Sequence, residues 1–359
     1  MHARIVNKYR RILLCSVFLL LVLSCNEDVS DYSAPKFKKV VEDPKIEYIG
    51  DVLPFNKIDN IFRYKDRLYV IAYHHKQKNY LHVYDVNDGT HLYSSLHQGN
   101  GPGEIIYPGA AHFEYETGML YFYDVVRAQA FSFHIGDSLT FINQTVTDDS
   151  VLLSQQFPAS DGSDISVNSY FVPNPRSKVK PAPRIIKRDP YRDTLAVYDI
   201  FPEIEDQKML GAVDLSHNVS LSPDRSHLAI ASLMGSILEI FEISEDKIDA
   251  SAKKYFVEPE HDTNNKSYSL EDTILGFCDI FLTNKYVYGA YDGENYGTVS
   301  RDKLHNNIAV FDFEGHPREL YKLGHRVHKL CVDEELGKIY CLIWTGEEDM
   351  RLASIDIVR

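Results

Sequence analysis

The sequence predicts an all-β protein, a six-bladed β-propeller of four-stranded antiparallel blades closed by an N-terminal strand, and three observations predict it. Short runs of β-branched and aromatic residues recur along the chain with turn residues between them. The runs fall at a spacing of about fifty residues. The chain also ends on a strand-like run that leaves its last repeat one strand short, while a spare strand-like segment stands near the start.

The best anchors are RLYVIAY at 67–73, MLYFYD at 119–124, SYFVPN at 169–174, HLAIAS at 227–232, KYVYGAY at 285–291 and KIYCLIW at 338–344. Matched positions are 52, 50, 58, 58 and 53 residues apart. Each anchor has a partner run, LHVYDVNDG, AFSFHIGDS, LAVYDI, ILEIFEIS, IAVFDFEG and LASIDIV in turn. Units of this length are too short to be separate sandwiches and suit propeller blades. The last blade lacks its outer strand, and KIEYIGDVL at 45–53 can supply it, which removes an open sheet edge. Seven blades is the alternative count.

The first 24 residues read as a signal peptide: a basic start with Arg4, Lys8, Arg10 and Arg11, then the apolar run ILLCSVFLLLVLS. Val22-Leu23-Ser24-Cys25 resembles the lipobox of bacterial lipoproteins, and that resemblance implies lipidation of Cys25. Asn26-Glu27-Asp28 resembles a signal that sends such lipoproteins to the cell surface. The implied location is the outer membrane, surface-exposed or facing the periplasm. Residues 25–44 are polar and aperiodic and read as a flexible tether, leaving 45–359 as a single domain. Loss of the four leader cations takes the formal net charge from −14 to −18, which argues against a nucleic-acid partner. Three cysteines remain, and Cys331 and Cys341 either face one another across a hairpin or are separate buried thiols.

The stretch GNGPGEIIYPGAAHFEYETGMLYFYD resembles an NHL repeat, with Gly99, Gly101, Gly103, Pro108, Gly109 and Asp124 in the family's places. Its Gly-x-Gly-Pro-Gly-Glu form, and LSPDRSHLAIAS at 221–232, resemble TolB-like six-bladed propeller lipoproteins, although Arg225 replaces a usual glycine. That group implies the fold and an extracytoplasmic setting and no agreed activity. Gly99 to Gly109, with Pro102 fixing one φ, read as the structural crossover from blade 1 to blade 2. A phosphate loop would need a following helix and a lysine, and neither is present. Glu104 is expected to accept hydrogen bonds from loop amides.

The face bearing the crossovers and the turns between second and third strands is the expected binding face. Its candidates are His74, Glu104, Arg127, Arg176, Lys178, Lys180, Tyr291, Glu294, Tyr296 and Trp344. Trp344, the single tryptophan, with Tyr291 and Tyr296 can make a stacking platform, or can be core. The run PNPRSKVKPAPRIIKRDP at 173–190 is basic in an acidic chain and reads as an exposed loop. Four Asp-Ser/Thr-apolar triplets, at 137, 149, 193 and 272, resemble a bacterial O-glycosylation sequon. His74-His75 makes a poor metal pair because neighbours on a strand point opposite ways. No catalytic motif, metal or cofactor site is legible. The expectation is therefore a monomeric, lipid-anchored propeller that binds a protein or glycan. The alternative is a propeller hydrolase or lyase with a metal at the channel mouth, and the enzyme question stays open.

Overall fold

The computed structural model describes residues 34–358 apart from 56–57, 125, 128, 147–153, 169–182, 203–216, 257–260, 263–266, 269–273, 296, 298–305 and 347–348. Two N-terminal strands, β1 (Lys39–Glu42) and β2 (Ile46–Leu53), precede the ring. Blade 1 holds β3 (Ile58–Tyr64), β4 (Arg67–His74), β5 (Asn79–Asp85) and β6 (His91–His97). Blade 2 holds β7 (Pro108–Glu114), β8 (Met119–Asp124), β9 (Gln129–Ile135) and β10 (Leu139–Val146). Blade 3 is β11 (Ser154–Pro158), β12 (Asp164–Asn168), β13 (Ile185–Arg188) and β14 (Thr194–Tyr198). Blade 4 is β15 (His217–Leu221), β16 (His227–Ser232), β17 (Ile237–Ile243) and β18 (Ile248–Tyr255). A small hairpin of β19 (His261–Asp262) and β20 (Ser267–Tyr268) follows. Blade 5 is β21 (Phe277–Leu282), β22 (Val287–Tyr291), β23 (Asn307–Phe311) and β24 (Pro317–Lys322). Blade 6 is β25 (Val327–Asp333), β26 (Lys338–Trp344) and β27 (Met350–Asp356).

The ring closes as the sequence predicts: β2 pairs antiparallel with β27, Ile46 opposite Ile355 and Leu53 opposite Met350. Each strand alternates its side chains between the two faces of its blade, so adjacent blades share a core. Five such cores are built, between blades 6 and 1, 1 and 2, 3 and 4, 4 and 5, and 5 and 6. Among the described residues no helix is long and apolar enough to cross a membrane.

Three expectations change. In blade 3 the second strand is DISVN, the run SYFVPN lies outside the described residues, and LAVYDI supplies the fourth strand, not the third. All five residues of DISVN are buried, its polar Asp164, Ser166 and Asn168 included, so its composition conceals a core strand. Part of the expected tether, Lys39–Glu42, is a fifth strand on blade 5, parallel to β24. It is held there by pairing and by Lys322 against Glu42 at 2.9 Å, while Phe37 packs edge-on against Phe311. Cys331 lies opposite Tyr340, and Cys341 opposite Leu330. The two belong to cores on opposite faces of blade 6 and are free thiols.

His82 on β5 is 1% exposed. Its Nε2–H donates to the Ala72 carbonyl at 3.1 Å and its Nδ1 accepts from the Ser94 hydroxyl at 2.7 Å. Burial, reinforced by His74 and His91 nearby, lowers it from 6.5 to about 4. The unfolded chain therefore binds the proton first as pH falls, and stability is lost between about 6.5 and 4. Urea unfolding at pH 7, 6 and 5 should show falling stability, by up to about 1.4 kcal/mol per pH unit from this group, and His82→Gln should flatten that slope.

Candidate functional site

The six inner strands, β3, β7, β11, β15, β21 and β25, converge on a central channel with a cavity of about 200 Å³. Four of them carry a one-residue bulge at the same place, near the top. The bulged residues are Asp59 in blade 1, Gly109 in blade 2, Cys278 in blade 5 and His328 in blade 6. A bulge leaves one residue outside the ladder and re-aims its side chain. His328 uses this to donate from Nε2 to the Ile58 carbonyl of the next blade at 3.1 Å, and burial lowers its pKa. Burial pushes the Cys278 thiol up to about 12, so it is no nucleophile at neutral pH.

Below the bulges lie Asn60, Gln155, Asn218, Asp279 and Lys329. Asp279 Oδ1 stands 2.9 Å from Lys329 Nζ, and its Oδ2 accepts the Leu330 amide at 2.9 Å. Burial presses Lys329 toward losing its proton, but Asp279 more than offsets this and holds the ammonium above its ordinary value. The pair is a fixed, charged anchor suited to hydrogen-bonding a ligand rather than to moving protons. Asn218 is turned by donating to the Phe277 carbonyl at 3.1 Å.

At the rim above β25, Arg326 accepts the Trp344 amide on its carbonyl at 2.9 Å, which places the two side chains as a cross-strand pair. The Arg326 guanidinium lies 5.7 Å from the Trp344 ring centroid.

The glycine-rich crossover borders the same top face. Gly101 donates to Glu104 Oε2 at 2.6 Å, as expected of Glu104. A Cβ on Gly99 would meet that carboxylate at 2.1 Å, so a larger residue there would have to displace the Glu104 side chain, and Gly103 takes a φ of +73°. Arg127 clamps the loop from below, donating to the carbonyls of Gly99 and, at 3.0 Å, Glu104. Asp124 in turn accepts the amides of Ile106, Val126 and Arg127. The loop closes on itself.

Comparison with known proteins follows from this geometry. A family model described as TolB-like 6-blade propeller-like matches residues 206–335, which run from before β15 to just past β25. Over those residues the chain is similar to that family, and its fold is a six-bladed propeller. A candidate exported protein of Bacteroides fragilis overlays this propeller with a TM-score of 0.54 at 10% identity, covering 89% of this chain and 99% of that one. A member of the DUF4221 family from Bacteroides vulgatus gives 0.54 at 9%, covering 87% and 96%. A gluconolactonase of Xanthomonas campestris gives 0.48 at 9%, covering 87% and 90%. At such identities the likeness is one of fold. No curated protein matches.

The sequence-derived candidates scatter over the propeller. Trp344 reaches the rim, but Tyr291 is buried between blades 4 and 5 against Phe277, with ring centroids 5.0 Å apart. Glu294 is exposed beyond β22. His74 lines a separate cleft of about 520 Å³ between blades 6 and 1. Cys25, Arg176, Lys178, Lys180 and Tyr296 lie outside the described residues. The basic run is partly structural: Arg184 is buried against Glu239 at 2.7 Å, and Arg188 stands 3.5 Å from Asp164. Among the described residues, one group of three at metal-ligand spacing occurs, Asp312, Glu314 and His316, in the bottom-face turn between β23 and β24.

Sequence reasoning missed Asp279, Lys329 and Arg326. The signal for the two cations was there: HRVHK at 325–329 is a basic run in a strongly acidic chain. Arg127 is engaged inside the loop, so Arg127→Ala should lower stability by about 2 kcal/mol in chemical denaturation. Arg127→Lys, which keeps the charge and loses the fork, should recover only part of that.

Proposed function

We propose that this protein is a lipid-anchored, extracytoplasmic binding propeller whose ligand, a glycan or a protein segment, inserts one unit into the channel mouth on the top face. The observation that carries this is the mouth itself. Amides from three blades and a locked ammonium–carboxylate pair surround a cavity of about 200 Å³. A space that small takes one sugar ring or one side chain of a longer ligand rather than a whole small molecule.

The route of the chain supports the anchoring. The Lys39 end of β1 lies on the bottom face, where its Nζ donates to the Val358 carbonyl at 2.6 Å, so β1 joins blade 5 from that face. The basic n-region, the apolar run and Cys25 support export and lipidation at the outer membrane.

Two measurements test this. Labelling of the full chain with a radioactive fatty acid should vanish in Cys25→Ala, and persistent label refutes the anchor. Arrays of glycans and peptides probed with the mature protein should yield a ligand whose retention Gln155→Tyr abolishes while the melting temperature holds. Retention indifferent to Gln155→Tyr, like no retention at all, refutes the mouth as the site.

A further inference from the structure

The channel is a blind well. Its inner strands run from the top face to the bottom. Near their lower ends Tyr115, just past β7 in blade 2, meets Phe281 on β21 in blade 5 edge-on, ring centroids 6.4 Å apart. Blades 2 and 5 stand opposite one another in a ring of six, so this contact spans the channel. Both rings line the cavity and form its floor. At the same lower end Arg63 of blade 1 is ion-paired to Asp333 of blade 6. A ligand therefore enters and leaves by the mouth alone.

Above the floor the lining comes in two layers. The upper layer is polar, with Asn60, Gln155, Asn218, Asp279 and Lys329 from five blades. Side chains two apart on a strand share a face, and two residues further down stand Phe62, Phe157 and Phe281. Within the upper layer the charges satisfy each other, Asp279 Oδ1 holding Lys329 Nζ at 2.9 Å. The amides are free. The side chains of Asn60 and Gln155 make no hydrogen bond among the described residues, and neither is sealed from solvent. Asn218 commits its NH2 group to the Phe277 carbonyl and keeps its oxygen as an acceptor.

Such a lining selects its ligand. With the ammonium and the carboxylate paired, a charged unit would give up its hydration and meet no free counter-charge. The uncommitted amides belong to blades 1, 3 and 4, so they face the well from different sides. A peptide side chain brings its polar atoms on a single tip. A pyranose carries hydroxyls around its rim, each both donor and acceptor, and its C–H faces pack on aromatic rings. One such ring is what about 200 Å³ admits. Because the floor is closed, a residue from the middle of a chain, joined on both sides, cannot descend into the well. A terminal residue can.

We infer that the channel recognises the terminal sugar of a neutral glycan, with Asn60, Gln155 and Asn218 holding its hydroxyls and Tyr115 and Phe281 as the stop beneath it. This rests on the channel-mouth reading of function and adds to it the ligand's class and its end-on entry.

The test is an array of neutral linear oligosaccharides, charged oligosaccharides and peptides probed with the mature protein. Neutral chains should be retained, and the same chains capped by a further, different sugar should not be. Added salt should leave retention unchanged, because no charge pairing is involved. By calorimetry on a retained oligosaccharide, Asn60→Leu and Gln155→Leu should each weaken binding roughly three- to tenfold, the loss of neutral hydrogen bonds. Circular dichroism should show both variants folded, and the cap and salt comparisons use the unaltered protein and decide the proposal even where a variant unfolds. Equal retention of capped and uncapped chains overturns end-on entry. Retention of charged glycans alone overturns the neutral ligand, and undiminished affinity in both folded variants overturns the role of the amides. Peptides retained in a Gln155-dependent way, with no neutral glycan retained, would refute this inference and leave the channel-mouth reading standing. No retention of any kind refutes both.

Discussion

A propeller has a site only if its ring closes, and here closure depends on a strand from the far end of the chain. Three strands of blade 6 come last in the sequence, and β2 completes them from near the start. The junction is tight. Gly50 on β2 and Gly89 in the turn between β5 and β6 both take positive φ, and a Cβ on Gly89 would come within 2.5 Å of the Gly50 backbone. Lys338 then bridges Glu47 of β2 at 3.2 Å and Asp356 of β27 at 2.7 Å. Such exposed pairs add little energy each, so closure rests on the strand ladder and the core beneath it, where Ile49 and Leu53 meet Leu68 and Val70 of blade 1. The inner strands hold their places around the channel because this junction holds.

The six seams of the ring are not equivalent. Five have continuous apolar cores, but between blades 2 and 3 the contacts are mainly polar: the Ser160 amide donates to Glu114 at 3.3 Å, and His112 meets Phe157 edge-on at 5.2 Å. Arg225 of blade 4 reaches over to the carbonyls of Phe157 and Pro158 in blade 3 at 2.9 and 3.2 Å. Apolar burial scales with area and is indifferent to angle, whereas these contacts need alignment. Among the described residues the seam between blades 2 and 3 therefore depends most on aligned polar contacts, and it lies across the channel from the ion pair of blades 5 and 6.

The repeat was legible because every blade has to bury two faces, and the alternation this imposes survives in the residues. It failed at blade 3, where DISVN buries Asp164, Ser166 and Asn168 against partners such as Arg188 and Pro183. A strand whose polar side chains find partners on residues far along the chain shows no alternation. Arg225 shows the same limit in a turn: it adopts a φ of +60° where the resembling motif has glycine, and its side chain bridges two blades. The tether was misread at β1 because four residues of ordinary polarity become a strand only when β24 offers an edge. The glycine crossover between blades 1 and 2 was placed correctly from the repeat spacing, and of its glycines Gly103 is the one that takes a positive φ.

The site was less legible than the fold for a physical reason. Asp279 and Lys329 lie on different blades, fifty residues apart in sequence, and their pairing follows from two bulges that appear only when the ladders form. Trp344 was visible as a rare residue, but its role depends on Arg326, which stands opposite because β25 and β26 pair in one register and no other. A shift of one position would move both side chains to the other face of the blade. The top face thus divides its tasks by how each group is satisfied. The glycine loop, with Glu104, Asp124 and Arg127 all turned inward, is finished structure, whereas Asn60, Gln155, Asn218, Asp279 and Lys329 line the channel cavity.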